Sequence, residues 1–413
     1  MTDPQQAIRD YLGTARDEQV RFLAELVKVP SDNPAGDCAP HAERAAQLLE
    51  AMGLTVERHP VPAELVRANG MVTATNLIVR RRFGAHDGDG PVVALNAHGD
   101  VVPPGDGWTR DPYGAEVVDG WMYGRGVAVS KSDFASYAYA LLALEKAGLD
   151  RGTVELHLTY DEEAGGEIGP KWLLDEGLTK PDFAIAAGFS YAVVTAHNGC
   201  LHLEVEVTGK SAHAALPMTG IDALEAATAV LNALYEHRKG FGGTVSATPG
   251  IGSPQLTVGL IKGGINTNVV PDRVTLRLDR RMIPEENPET VEAGLRALIA
   301  EAVQAVPQAR AEVRRILLAR PLTPLPGTDR LAEILCGHAS RVMGEPVGSK
   351  GVPLYTDARH YADAGVPIVL FGAGPHTIEE ANAHRADERL PLSDLFKATE
   401  VVALSLYDLL KAG

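Results

Sequence analysis

Residues 91–100 read Pro-Val-Val-Ala-Leu-Asn-Ala-His-Gly-Asp, an apolar run that ends in two side chains able to do chemistry. The run from Val92 to Ala97 is typical of a strand buried on both faces of a sheet. The carboxyl end of such a strand is where open α/β sheets place their ligand sites. Asp100 is able to accept one ring N–H of His98, which leaves the other ring nitrogen free for a metal. The alternative is an ordinary histidine at the end of a strand.

Patterns on both sides of this strand alternate between helix and strand. Helical spacing covers residues 18–27, 41–52 and 134–148, and strand patterns cover 75–80 and 154–160. This rhythm predicts an α/β fold with a mainly parallel sheet flanked by helices.

From residue 201 to residue 305 the pattern changes to strand, helix, strand, strand, helix. That order predicts an inserted α+β open-faced sandwich. The expected catalytic domain is therefore discontinuous and consists of residues 1–197 and 314–413. The inserted domain is expected at residues 198–313.

The net charge of the chain indicates which kinds of molecule it binds. The 413 residues carry a formal net charge of -16 with a pI of about 5.3, so electrostatics oppose binding to nucleic acid or to an anionic membrane. The sequence has no apolar run of about 18 residues, no signal-peptide pattern and no metal-type spacing of its three cysteines. We therefore expect a cytoplasmic protein that acts on a small molecule.

Two further stretches carry residues suited to a metal site. Glu162 and Glu163 follow the strand pattern at 154–160, and their side chains are expected to diverge, so that one binds metal while the other faces the substrate water. His384 lies in the stretch Ala-His-Arg-Ala-Asp-Glu at 383–388. The alternatives are a solvated glutamate pair and an exposed loop histidine.

These stretches together resemble the family of acetylornithine deacetylase, succinyl-diaminopimelate desuccinylase and glutamate carboxypeptidase, and the resemblance runs over nearly the whole chain. It implies a zinc-exopeptidase-like catalytic domain with an inserted lid and dimerisation domain, and hence a homodimer. It also implies His98, Glu163 and His384 as metal ligands and Glu162 as the general base on a metal-bound water. The implied substrate is an N-acyl amino acid or a short peptide with a free carboxylate.

The inserted domain supplies three further candidates by the same resemblance. His213 lies in Gly-Lys-Ser-Ala-His-Ala and is expected to stabilise the oxyanion. Asn268 and Arg281 are expected to bind the carboxylate of the substrate, for which an arginine fork is well suited. The last two matches also fit ordinary turn and strand residues.

Two carboxylates of the family's metal site are absent. Val129 stands in the position of the bridging aspartate, and Gly188 stands in that of the fourth carboxylate. Two divalent ions with only Glu163 and a hydroxide would keep a net charge of about +2, which is costly at a partly desolvated site. One divalent ion, zinc by resemblance, is therefore favoured over two.

In the family, the residue matching His98 binds one ion, and those matching Glu163 and His384 bind the other. A single ion therefore requires some ligand to move. Asp133 is the candidate replacement ligand, about one helical turn beyond Val129. An acidic residue favoured by the dipole of a helix N-terminus is the alternative, and the sequence supports that alternative slightly better.

The sequence thus predicts a metallo-amidohydrolase, similar to a deacylase or carboxypeptidase, with Asp100 and Glu162 in its chemistry. Two other functions stay open. One is a metal-independent enzyme that uses Glu162 and histidines on a different substrate. The other is a non-catalytic homologue that binds an acyl-amino acid or peptide carboxylate.

Overall fold

A computed structural model describes residues 3–84 and 90–411. The chain divides into two compact units. The first contains the residues up to Thr195, then Pro324–Lys350, then those from Thr356 onward. The second contains Ala196–Thr323 and Gly351–Tyr355.

This division differs from the expected one at the second boundary. The expected boundary between residues 313 and 314 falls inside the strand Arg310–Ala319, which pairs with Gly199–Thr208 of the second unit. Strand pairing therefore carries the second unit about ten residues further along the chain, to Thr323.

The helices of the described residues are α1 (Pro4–Val27), α2 (Ala39–Ala51), α3 (Ala63–Ala68), α4 (Lys131–Leu144), α5 (Pro170–Asp175), α6 (Ala223–Lys239), α7 (Pro288–Ala302), α8 (Thr328–Met343), α9 (Ala358–Asp363) and α10 (Leu392–Lys411). Short 3-10 helices cover Glu162–Ala164, Pro217–Thr219, Gly240–Gly243 and Val303–Ala305.

The strands are β1 (Val56–Pro60), β2 (Thr75–Arg82), β3 (Val92–His98), β4 (Glu116–Val118), β5 (Trp121–Tyr123), β6 (Thr153–Thr159), β7 (Phe183–Ala186), β8 (Val193–His197), β9 (Gly199–Thr208), β10 (Ala212–His213), β11 (Gln255–Gly263), β12 (Val269–Val270), β13 (Arg273–Met282), β14 (Arg310–Ala319), β15 (Ser349–Val352), β16 (Ile368–Leu370) and β17 (Arg389–Pro391).

The main sheet has eight strands in the order β1-β2-β6-β3-β7-β16-β8-β15. Its central strands β6, β3, β7 and β16 pair in parallel, and the pairs β1-β2, β2-β6 and β16-β8 are antiparallel. The α/β class is confirmed, and the parallel pairing lies at the centre of the sheet. The carboxyl ends of β3 and β6 are neighbours, with His98 opposite Thr159.

Helix α4 fills the core beside the parallel strands. All its residues except Leu142 are buried, because its sequence is apolar or small around the whole circumference. It packs against α1 and α10. The residue before the helix, Ser130, both donates to and accepts from the backbone of His98, at 3.1 and 3.0 Å. The start of α4 is thereby fixed to the end of β3.

The second unit contains an antiparallel sheet in the order β11-β13-β9-β14. Helices α6 and α7 pack with the core residues of this sheet, such as Leu201, Leu203 and Val205. Alternate residues of β9 lie on the opposite face. This is the expected α+β open-faced sandwich. No helix in the described part of the chain combines the length and the apolar character needed to cross a bilayer.

Candidate metal centre

His98 ends β3 with a buried ring. Its Nδ1 lies 2.9 Å from the backbone oxygen of Asp100 and 3.5 Å from the carboxylate of the same residue. The backbone carbonyl is thus the closer acceptor, and Nε2 faces the carboxylate of Glu162 at 3.9 Å. Burial lowers the pKa of His98, but Asp100, Glu162 and Glu163 outweigh burial and raise the pKa well above its usual value. The imidazole lies in a strongly negative setting suited to a cation.

Asp100 orders the glutamate pair. Its fully buried carboxylate accepts the backbone N–H of Glu162 at 3.2 Å and that of Glu163 at 3.1 Å. The Nδ2 of Asn33 donates to the same carboxylate at 3.1 Å. Asp100 therefore connects the end of β3 to the turn that follows β6, and the turn carries both glutamates next to His98.

The carboxyl group of Glu162 has a pKa close to neutral pH. Burial is the largest cause and raises its pKa to about 7, while His98 opposes the shift and Glu163 and Asp100 add to it. A side chain in this range is able both to take and to return a proton.

Glu163 lies beside His384, the last of the metal ligands that the resemblance implies. Its Oε1 lies 3.3 Å from Nε2 of His384. The His384 side chain is 52% exposed, whereas that of Glu163 is 9% exposed, so the pair spans the border between solvent and interior. The bond to Glu163 raises the pKa of His384. The structure therefore brings His384 to the glutamate that the resemblance gives as its co-ligand.

The Ala-His-Arg-Ala-Asp-Glu stretch is held in place by its last residue. Glu388 is buried, and one of its carboxylate oxygens accepts the backbone N–H groups of Ala128 and Val129 at 3.0 and 3.2 Å. Its other oxygen lies 2.5 Å from Arg125, which is also buried. The sequence pattern assigns no role to this ion pair, because a single chain read in order shows no link between two segments 263 residues apart.

The donor atoms present fit one divalent ion. A ring nitrogen of His98 and carboxylate oxygens of Glu162 and Glu163 all lie within 4.8 Å of one another. Two glutamates and a histidine offer the oxygen and nitrogen ligands that zinc accepts. His384 is a further candidate through its contact with Glu163.

Val129 and Gly188, where the resemblance leads one to expect carboxylates, carry no polar side chain. Val129 and Phe189 pack against a small buried cluster of Ala128, Ala381 and Ala383. A Cβ at Gly188 would lie 3.0 Å from the backbone nitrogen of Phe371, so the main chain leaves little room there for a larger residue. Neither Val129 nor Gly188 therefore offers a side-chain oxygen.

Asp133, the expected replacement ligand, is not among the donor atoms grouped with His98 in the described part of the chain, and its role as a ligand stays a prediction. It lies in the first turn of α4, and its Oδ1 accepts the backbone N–H of Ala373 at 2.8 Å. Burial raises its pKa well above the usual value. Asp133 belongs to none of the metal-type donor groups found among the described residues. The alternative, an acidic residue at a helix N-terminus, agrees with the geometry.

A second layer of buried groups supports the glutamate turn. Arg359 donates to the backbone oxygens of Gly165 and Thr356. A Cβ at Gly166 would lie 2.0 Å from Oδ1 of Asp357, which shows how closely this carboxylate packs on the turn. Burial, with the nearby charge of Glu162, raises the pKa of Asp357 well above its usual value. Asp357 thus packs against the turn that carries the glutamates.

The remaining candidates belong to the second unit. His213 is in β10, which pairs with β12, and the backbone N–H of Ala214 donates to the backbone oxygen of Asn268 at 3.0 Å. The structure therefore places His213 and Asn268 in adjacent segments. Arg281 is on β13, where its Nε donates to Asp279 at 2.9 Å.

A histidine and two glutamates at the ends of adjacent parallel strands, within an α/β unit, define a metal-dependent hydrolase as the class of protein. The chain matches the model of Peptidase family M20/M25/M40 over residues 94–408. It belongs to that family, which confirms the resemblance drawn from the motifs.

The sequence is similar to curated relatives over nearly its full length. A succinyl-diaminopimelate desuccinylase of Rhodospirillum centenum is 28% identical, covering 93% of this chain and 95% of its own. An acetylornithine deacetylase of Myxococcus xanthus is 30% identical, with coverage of 92% and 94%. The fold matches the crystal structure of aminopeptidase PepT from Bacillus cereus with a TM-score of 0.74 at 21% identity, over 95% of this chain and 98% of the other.

Proposed function

We propose that the protein hydrolyses the amide bond of an N-acyl amino acid or of a short peptide with a free carboxylate. The observation that carries this proposal is the convergence of His98, Glu162 and Glu163, whose donor atoms lie within 4.8 Å of one another. The relatives named as a desuccinylase and a deacetylase support an acyl amino acid as the substrate class.

His98, Glu163 and His384 would hold one divalent ion, with zinc as the proposed metal. When bound, such an ion supplies a Lewis acid for the scissile carbonyl and makes an adjacent water more acidic. Val129 and Gly188 support one ion rather than two, because neither offers a side-chain oxygen to a second ion.

Glu162 is the proposed general base. It lies beside the ligands, its backbone is fixed by Asp100, and its side chain is only 18% exposed. It removes a proton from the attacking water as the new C–O bond forms at the carbonyl carbon. The same proton then passes to the leaving nitrogen as the C–N bond breaks, and the new carboxyl group gives up the second proton of the water, so the products are a carboxylate and a protonated amine.

Three residues of the second unit complete the proposal. His213 is proposed to stabilise the oxyanion, and Asn268 and Arg281 to bind the free carboxylate of the substrate. The bond from Nε of Arg281 to Asp279 supports this role, because it restrains the guanidinium of a side chain that is 33% exposed.

The role of Glu162 is tested by comparing two glutamate variants from the segment between β6 and α5. Glu162→Gln is expected to keep its metal and to lose about 10²- to 10⁴-fold in kcat on N-acetyl or N-succinyl amino acids. Glu167→Gln is the matched control, since Glu167 is exposed and is expected to be dispensable. Equal activity of the two variants would contradict the role of Glu162. If the wild-type protein binds the acyl amino acids without turnover, it is a binding protein and the hydrolase proposal is wrong.

A further inference from the structure

A second group of metal-type side chains lies on the sheet of the second unit. Strands β9 and β13 pair antiparallel, with Cys200 opposite Arg281 and His202 opposite Asp279. Side chains two residues apart on a strand share a face, so all four lie on one face of the sheet. This face is opposite the one that carries Leu201 and Leu203 of the core.

Three donor atoms of this group converge. Sγ of Cys200 lies 3.2 Å from Nε2 of His202, and the same Nε2 lies 3.0 Å from Oδ2 of Asp279. Sγ and Oδ2 are 3.9 Å apart, which closes the triangle. The arrangement is compact without any residue from outside the two strands.

The shared nitrogen distinguishes this group from a nucleophilic relay. In a relay the nucleophile bonds to one ring nitrogen and the carboxylate orients the other. Here Cys200 and Asp279 both face Nε2 of His202. The three atoms thus lie within 3.9 Å of one another around a single ring nitrogen.

The triangle is close in size to the ligand set of a tetrahedral ion. Zinc bonds of about 2.3 Å to sulfur and about 2.0 to 2.2 Å to nitrogen and oxygen place tetrahedral ligand atoms roughly 3.4 to 3.6 Å apart. The observed separations of 3.0, 3.2 and 3.9 Å lie on both sides of that range. Shifts of a few tenths of an ångström would equalise them.

Arg281 orients one of the three proposed ligands. Nε of Arg281 donates to Oδ1 of Asp279 at 2.9 Å and comes within 3.2 Å of Oδ2. That contact fixes the carboxylate that faces His202, in the way that outer groups orient metal ligands.

We propose that Cys200, His202 and Asp279 bind a divalent transition-metal ion of the Zn²⁺ class. Thiolate and imidazole ligands select such an ion over Mg²⁺ or Ca²⁺. The side chains of His202 and Asp279 are 35% and 32% exposed, so the fourth position is open to water. The ion connects β9 to β13, and it is independent of the ion at His98, since the two donor sets have no residue in common.

Cobalt substitution tests this site separately from the catalytic one. Wild-type protein, freed of metal and kept reduced, is titrated with Co²⁺, and the sulfur-to-cobalt charge-transfer absorption is recorded in the near ultraviolet. Only a cysteine ligand produces that band, and the set at His98 contains no cysteine. The band is expected in the wild-type protein and should be complete by two equivalents of Co²⁺ per chain, since the set at His98 takes up the other equivalent.

Matched variants assign the band. Cys200→Ser is expected to abolish it, whereas Cys38→Ser and Cys336→Ser are expected to keep it. His202→Gln retains the thiol and is expected to weaken Co²⁺ binding by at least tenfold, which gives a second test if Cys200→Ser does not fold. Absence of a sulfur-to-cobalt band in the wild-type protein would overturn the proposal, as would a band that survives in Cys200→Ser.

Discussion

The carboxylate of Asp100 accepts the backbone N–H of Glu163 at 3.1 Å. Through this bond a residue just after β3 fixes a residue just after β6, although the two are 63 positions apart. The other oxygen of the same carboxylate accepts the N–H of Glu162. The orientation of both glutamates therefore depends on one buried acidic side chain.

Asp100→Asn is expected to weaken zinc binding and catalysis together. The amide keeps the size of the side chain but turns one acceptor into a donor, which then faces a backbone N–H of Glu162 or Glu163. We expect a loss of about 10- to 100-fold in metal affinity and a comparable loss in kcat/KM. The control is Asp37→Asn, at an exposed residue that bonds to Thr73. If Asp100→Asn retains wild-type affinity and kcat/KM, the ordering role assigned to Asp100 is wrong.

Val129→Asp is expected to create a centre for two ions. The new carboxylate would lie beside Ala383, next to His384, and would lower the charge of a two-ion centre from about +2 to about +1. Without metal, the unpaired carboxylate is expected to lower the free energy of unfolding by about 1 to 3 kcal/mol. Added zinc should restore that stability.

The comparison for this variant is Val129→Asn, which has the same size without the charge. Zinc equivalents per chain are counted in a Cys200→Ser background, so that the proposed site on β9 and β13 does not contribute. Val129→Asp should bind one more equivalent than Val129→Asn. An equal count would show that the missing bridge does not limit the number of ions.

The convergence of His98 with the glutamate pair was predictable, because these residues follow strands. His98 and Glu163 each come at the end of an apolar run, and the ends of adjacent parallel strands share one edge of the sheet. The triangle of Cys200, His202 and Asp279 was not predictable, because it depends on the register of strands whose residues lie 77 positions apart. The same limit explains the domain boundary, since strand β14 joins the second unit only through its pairing with β9.

Glu155→Gln is expected to reduce stability at neutral pH but not in strong acid. Burial opposes ionisation of Glu155, but hydrogen bonds from His157, Thr179 and Arg80 outweigh burial and lower its pKa from 4.5 to about 2. Because the folded value lies below the unfolded one, the stabilisation is present above about pH 4.5 and is lost as the pH falls toward 2. The full effect is about 3 kcal/mol.

Urea unfolding at pH 6 and pH 3 measures this effect. The wild-type protein and Glu155→Gln should differ in their free energy of unfolding. This difference at pH 3 should be less than half of the difference at pH 6. Glu57→Gln is the control, because Glu57 pairs with the same Arg80 but its side chain is 39% exposed. Its effect should stay below about 1 kcal/mol at both pH values. A pH-independent effect of Glu155→Gln would contradict the assigned pKa.

We expect the protein to form a homodimer through the second unit. Strand β11 lies at the edge of its sheet and exposes Leu260 and Ile261, and Ile265 follows with 80% of its surface exposed. Unpaired edge strands with apolar side chains are sites of association.

Light scattering should give about twice the chain mass of 43.8 kDa for the wild-type protein. The control Val117→Lys, at an exposed strand residue of the first unit, should give the same mass as the wild-type protein. Ile261→Lys should give one chain mass, and a monomeric wild-type protein would contradict the expectation.

The hydrolysis of N-acetyl and N-succinyl amino acids should be measured before and after exhaustive chelation, and again after Zn²⁺ is returned. The Cys200→Ser variant is the protein to use, so that the metal counted is the metal at His98. Turnover is expected to disappear as the bound metal falls below about 0.1 equivalent and to return with one equivalent of Zn²⁺. Undiminished turnover in the metal-free protein would contradict a metal-dependent centre at His98, Glu163 and His384.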